Sequence, residues 1–197
     1  MARILFILLF AATLTITAFS QTQNQPENAP VCNLSLSQAP VIRGIRLGMK
    51  PDEWLKLFPG SAQDEKIKAI LDKPPAYPEY GLKRIVFESS SNLGGWGGAF
   101  KILPKEEFSG IDRAHLTLLD NQIVQFQIFY SPVYSNGSRV PAWDDISQLI
   151  PIFSETFNLP KISAWEKRDS QNAALKCPGF ELELSTSNNE TRALLKS

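Results

Sequence analysis

Read as apolar and polar positions, the chain opens on an unbroken apolar run. Ile4 to Phe10 is aliphatic or aromatic throughout, and the run continues more weakly from Ala11 to Ile16. Residues 21–30, QTQNQPENAP, then lose all apolar periodicity and hold two prolines, which predicts a flexible leader. A first extended stretch is expected over Val31 to Val41. In RGIRLGMKPDEWLKLFPG, Gly44 and Gly48 bracket an extended GIRLG, and Pro51 suits the first position of a helix. Asp52 and Glu53 sit where the helix dipole favours anions, while Trp54, Leu57 and Phe58 share one face. Pro59 and Gly60 end that helix. A second short helix is predicted over Asp64 to Leu71, with Ile67, Ile70 and Leu71 inward. Pro74, Pro75 and Pro78 force an extended connector.

The period then changes from helical to alternating. Leu82 to Ser89 reads as a strand, followed by a glycine-rich loop, SSNLGGWGGAF. Ile111 to Leu119 and Ile123 to Tyr130 predict a hairpin closed by Asp120-Asn121. Ala114, Leu116 and Leu118 form its inner face on one strand. Val124, Phe126, Ile128 and Tyr130 do so on the other, with Gln125 and Gln127 outward. Trp143 to Asn158 is the longest predicted helix, with a stripe of Ile146, Leu149, Ile150, Phe153 and Phe157. Pro151 inside it is expected to kink it or split it in two. Ile162 to Arg168 reads as a weak strand and Leu175 to Leu184 as a strong one, with Pro178-Gly179 marking a bulge or an edge. The polar tail from Asn188 onward is expected to fray. Helices, strands, a helix and strands again predict an α+β fold: an antiparallel sheet of about five strands with two or three helices on one face, in a single domain over residues 31–197.

The ends of the chain add a compartment. Arg3 precedes the apolar run, and the small residues Ala18 and Ser20 stand three and one positions before Gln21. This is the pattern of a signal peptide over residues 1–20, cleaved before Gln21, and it predicts a periplasmic or secreted protein. The strongly apolar part is short for a membrane span of about 20 residues. Cys32 lies too far beyond it for a lipoprotein anchor. Removing the leader takes Arg3 away, leaving 19 basic residues against 20 acidic. Such a surface does not attract nucleic acid or an anionic membrane. In an oxidising compartment the two cysteines, Cys32 and Cys177, are expected to form a disulfide, two separate buried thiols being the alternative.

GIRLGMKPDEWLKLFPG, residues 44–60, together with the hairpin LTLLDNQIVQFQIFY, residues 116–130, resembles a group of small bacterial envelope domains. The group includes the β-lactamase-inhibitor-protein-like domains and the outer-membrane assembly lipoproteins of the SmpA/OmlA type. The resemblance implies short helices packed on an antiparallel sheet, and a role in binding proteins rather than in chemistry. Trp54, Asn121 and the missing lipid-bearing cysteine depart from the group's pattern. Residues from 143 onward read either as a degenerate second repeat of helix plus strands or as an extension.

Candidate chemistry is sparse. His115 is the only histidine and lies in a strand, out of phase with its apolar neighbours, so a solvent-face histidine competes with a general base. Asp144/Asp145, Glu106/Glu107 and Glu181/Glu183 are carboxylate pairs; Asp144/Asp145 are better explained as helix-start charges and Glu181/Glu183 as a solvated strand face than as an acid–base pair. No G-x-S-x-G elbow, phosphate loop or calcium-loop spacing occurs, and no cofactor or metal is expected. Asn33, Asn136 and Asn189 begin glycosylation acceptor triplets, which matter only in a eukaryotic host. The glycine-bracketed Trp96, with Gly95, Gly97 and Phe100, is the candidate binding feature: a large amphipathic ring displayed for a protein groove or a sugar, unless it folds onto the core. The expected function is an exported, non-catalytic binding or assembly module of the bacterial envelope, its partner an envelope or secreted protein or a glycan. The alternative is a small secreted hydrolase with dispersed residues around His115.

Overall fold

The computed structural model describes residues 31–75, 81–88, 99–100, 108–131, 133–135, 138–140, 143–186 and 190–197. The leader and most of the glycine-rich loop, Trp96 included, lie outside them.

Helix α1 (Pro51–Trp54) starts at Pro51, and the Glu53 carboxylate accepts from the Lys50 amide, 2.9 Å, and pairs with Arg46. The predicted helix to Phe58 is shorter than expected. Leu55–Leu57 tightens into a 3₁₀ turn, because Pro59 drives Phe58 out of the helical region and Gly60 follows at φ 86. Helix α2 (Glu65–Asp72) begins on Asp64, whose carboxylate accepts from the amides of Lys66 and Ile67. It stops where Lys73 turns extended ahead of Pro74.

The strands are β1 (Leu82–Glu88), β2 (Ala99–Phe100), β3 (Ile111–Leu119), β4 (Gln122–Tyr130), β5 (Val133–Ser135), β6 (Ser138–Val140), β7 (Glu166–Lys167), β8 (Asn172–Cys177), β9 (Phe180–Ser185) and β10 (Arg192–Lys196). β5 and β6 form a separate hairpin. The other eight make one sheet in the order β2-β1-β3-β4-β10-β9-β8-β7, antiparallel except for the two-residue β2. The sheet is therefore larger than the expected five strands, and three departures from the sequence pattern explain why.

First, Pro178-Gly179 is not a bulge but a complete two-residue turn, with Gly179 at φ 87 and Cys177 paired to Phe180. The single predicted strand is a hairpin. Second, the tail does not fray. β10 inserts between β4 and β9, with Ala193 and Leu195 fully buried and Leu195 opposite Phe126 on one side and Leu182 on the other. Third, Ala99–Phe100, at the end of the predicted glycine-rich loop, pairs with β1 as β2, whereas the weak strand at 162–168 adds none beyond the one expected, being a 3₁₀ turn followed by the short edge β7.

The β3–β4 hairpin closes as predicted, with Asp120 at φ 49 and Asn121 at φ 63, the double left-handed turn that matches strand twist. One face assignment changes. The register shifts between Thr117 and Leu118, so Val124 is an extra residue; Ile123 is buried in its place and Val124 is only half-buried. Ile123, still paired with Leu118, exchanges backbone hydrogen bonds on its other edge with Gly48 and Met49, 2.7 and 3.0 Å. The bulge thus ties the 44–50 segment to the sheet.

Helix α3 (Ile146–Thr156) starts later than predicted, at an Asp145 cap whose carboxylate accepts from the Ser147 amide, 2.7 Å. Pro151 does not split it: the proline ring is exposed, and the helix runs through. Ile146, Leu149, Ile150 and Phe153 are buried as expected, and Phe157 is half-buried. With Trp54, Phe58 and Ile67 they cover the inner sheet face, where Phe58 stacks on Phe87 with centroids 3.7 Å apart.

The same order of elements recurs in the two halves. Each places helix before an antiparallel run of strands, β1-β3-β4 in one and β8-β9-β10 in the other, and the last strands of both pair at the sheet's centre. Cys32 and Cys177 are disulfide-bonded across a sequence separation of 145 residues. The bond clips the first described segment to the β8–β9 turn, where Leu36 packs so close to Gly179 that an added Cβ would lie 3.2 Å from it.

Candidate functional site

His115 lies on the outer face of the sheet, as its phase predicted. Its Nδ1 accepts from Arg84, 2.6 Å, and its ring leans on Phe129 with centroids 4.6 Å apart. Partial burial, then the fields of Arg84 and Arg113, lower its pKa to about 4, with a Gln127 hydrogen bond opposing them. Arg113 caps the other side of Phe129, its guanidinium 4.4 Å from the ring centroid, and pairs with Glu190. A general base needs a pKa near the working pH beside an acid or hydroxyl; here the ring is a weak base, its Nδ1 is taken by Arg84, and two cations face it.

This arrangement has a pH signature. Between about pH 6.5 and 4 the unfolded chain protonates His115 and the folded chain does not, so stability falls as pH falls through that window. Unscreened linkage gives roughly 3 kcal/mol, which solvent screening of the half-buried ring reduces to about 1–2 kcal/mol. Urea denaturation of wild type and His115→Gln at pH 7.0, 5.5 and 4.5 checks it: the variant lacks this share of the decline, and parallel curves would refute the assignment.

The carboxylates are equally committed. Glu181 and Glu183 lie on the outer face between Lys196 and Arg168, with Lys196 Nζ 2.8 Å from Glu183 and 3.3 Å from Glu181. Burial pushes Glu183 up, but the bond to Lys196 and the surrounding cations outweigh it and leave the group below its ordinary range. Asp145 is held down to about 2 by the Ser147 amide first and Lys167 next, as a cap rather than an acid. Glu106 and Glu107 lie outside the described residues, and no group of three or more potential metal ligands occurs among those described. Asn33 is exposed; the other two acceptor asparagines are outside the described residues.

Trp96, Gly95 and Gly97 also lie outside them, and Phe100 is placed only by its backbone, paired with Phe87 in β2. The described residues present a different concave feature. A cleft of about 500 Å³ opens at the seam of the two halves. It is lined by Ile42, Tyr130 and Thr191 on one side and, on the other, by Leu149, Ile152, Phe153 and Thr156 of α3 with its cap Phe157, and by Trp143. At its mouth stands Arg43. Ile42 and Ile45 bond each other's backbone at 3.0 and 2.9 Å, and Arg43-Gly44 is the turn between them, at φ 53 and φ 81. Glycine takes such a conformation freely, whereas arginine there costs about 1–2 kcal/mol. Gly44 is further hemmed by Leu57, 3.0 Å from where a Cβ would sit. The turn holds the Arg43 guanidinium outward, where it donates to the Ser109 carbonyl, 2.9 Å. Beside it, burial pushes the Tyr130 phenol up to about 12 against the pull of Arg43, so the hydroxyl stays protonated.

Compared with protein-family models, with curated proteins and with solved structures, the chain matches none.

Geometry therefore brings together residues that sequence reading kept apart. By sequence Arg43 stands just before the extended GIRLG, Tyr130 is an inward strand residue and Trp143 a helix start. One signal was available: Ile152 is apolar but off the buried stripe of α3, and 47% exposed. An apolar residue beside the main stripe widens the helix's apolar face past what its own sheet covers.

Proposed function

We propose that the mature chain is an exported binding domain of the bacterial envelope, of the general kind its 44–60 and 116–130 motifs resemble, and that it takes an apolar body into the seam cleft. The observation that carries this is the cleft itself. Its volume, about 500 Å³, falls within the range of small-molecule sites, roughly 300–1,000 Å³, and its wall is mostly aromatic and aliphatic. Binding rather than chemistry fits a lining that, among the described residues, contains no carboxylate, histidine or cysteine to move a proton or attack a bond. Export is supported by the Cys32–Cys177 disulfide, which an oxidising compartment favours, and by the leader pattern before Gln21. Among the described residues no helix is long and apolar enough to cross a membrane.

The test uses the full chain expressed in a bacterial host and recovered from the periplasm, with its N-terminus read as Gln21. Titration with dodecanol, a neutral apolar probe, should shift the amide resonances of Trp143, Phe153, Phe157 and Thr191. Ile152→Trp, which fills the cleft from an exposed position, should abolish those shifts while leaving the melting temperature within a few degrees. A probe that perturbs no cleft residue, or perturbs them equally in Ile152→Trp, removes the reading.

A further inference from the structure

The cleft is apolar along its wall but not at its mouth, and the mouth carries one sign of charge. Among the described residues Arg43 is the only ionised one on the lining, and no carboxylate pairs with it. Its guanidinium spends one donor on the Ser109 carbonyl and is otherwise exposed to water. The protonated Tyr130 hydroxyl adds a second donor on the same lining. A cation at the rim of an apolar slot complements an anion joined to an apolar tail.

The remaining polar groups narrow the class further. The Tyr130 amide donates to the Thr191 carbonyl at 2.9 Å and the Ser131 amide to Gly110 at 2.8 Å, and the Thr156 hydroxyl donates to the Ile152 carbonyl at 2.7 Å. An extended peptide lying in the cleft would bury most of its own amides and carbonyls against an apolar wall, with these lining groups already bonded, which costs about 1–3 kcal/mol for each left unpaired. A ligand with one polar head and a hydrocarbon tail avoids that loss.

Resting on the reading of the cleft as a binding site, we propose that its ligand is a free acyl carboxylate: the carboxylate at Arg43 and Tyr130, the chain along Phe153, Ile152 and Phe157 toward Trp143. The left-handed backbone of Arg43 is then part of the site, since the turn that strains it also sets the guanidinium at the rim.

The experiment is calorimetric titration of the periplasmic protein with dodecanoate below its micelle concentration, with dodecanol, and with an acetylated hexapeptide ending in leucine. Dodecanoate should bind about five- to tenfold tighter than dodecanol. Arg43→Gln should erase that preference and leave dodecanol affinity unchanged, and Arg43→Lys should restore part of it. Thermal melts confirm that both variants fold. Equal affinity for dodecanoate and dodecanol in the wild type overturns the head-group assignment while the cleft stands. A peptide that displaces dodecanoate and binds more tightly overturns it in favour of a protein terminus. Binding of neither amphiphile removes the cleft reading itself.

Discussion

A chain ended at Glu190 will not fold to a cooperative native state. The seven residues it loses include β10, which is hydrogen-bonded along both edges and fills the centre of the sheet between β4 and β9. Without it the two halves keep no strand-to-strand ladder between them. Two new edges open, and the inner faces of Phe126, Ile128, Leu182 and Leu184 lose the cover of Ala193 and Leu195. Domains of this kind are stable by about 5–15 kcal/mol in total. Leu195→Ala alone, at a fully buried site, is expected to remove about 2–5 kcal/mol, so loss of the whole strand exceeds the margin. Urea denaturation followed by near-ultraviolet circular dichroism and tryptophan fluorescence checks both. The truncated chain should show no sigmoidal transition, and Leu195→Ala a lowered midpoint with an unchanged slope. A truncated protein that melts cooperatively within a few degrees of wild type would mean the tail is dispensable, as its polarity suggests.

Breaking the Cys32–Cys177 bond is expected to remove about 2–5 kcal/mol. The bond closes a loop spanning a separation of 145 residues, for which the chain-entropy model gives roughly 5 kcal/mol as an upper figure. In the folded protein Cys32 is buried beside the core and Cys177 ends β8 just before the turn. The stabilisation therefore comes mainly from restricting the unfolded chain. Cys32→Ser, Cys177→Ser and the double variant should be destabilised alike, because each removes the same bond. Reductant should lower the wild-type midpoint to theirs and leave the variants unmoved. A wild type indifferent to reductant would show that the segment from Val31 to Val41 is held by its other contacts alone.

The large effects fall on features that differ in how well the chain announces them. The cysteine pair is visible as two residues near the ends of an exported chain. The final strand is not: RALLK is short, and three of its five positions are charged or small. Its identity comes from two neighbours, β4 and β9, whose unpaired edges it satisfies. The same holds for Pro178-Gly179, where a bulge, an edge and a turn share one sequence signature and only the pairing of Cys177 with Phe180 decides among them.

Local signals along the chain were enough for the α+β class, the helix starts at Pro51 and Asp64, the Asp120-Asn121 turn, the buried stripe of α3 and the outer-face position of His115. Each is set by a local signal: a fixed proline φ, a capping carboxylate, a turn residue tolerant of positive φ, or a period of apolar positions. Only the tertiary structure decided the eight-strand order, the bulge that buries Ile123 instead of Val124, and the cleft where Arg43, Tyr130 and α3 meet. Those depend on which edges pair over long separations, as Arg192 with Phe129 and Lys196 with Gln125, and on which helix flank the sheet leaves uncovered, and no local period along the chain encodes either.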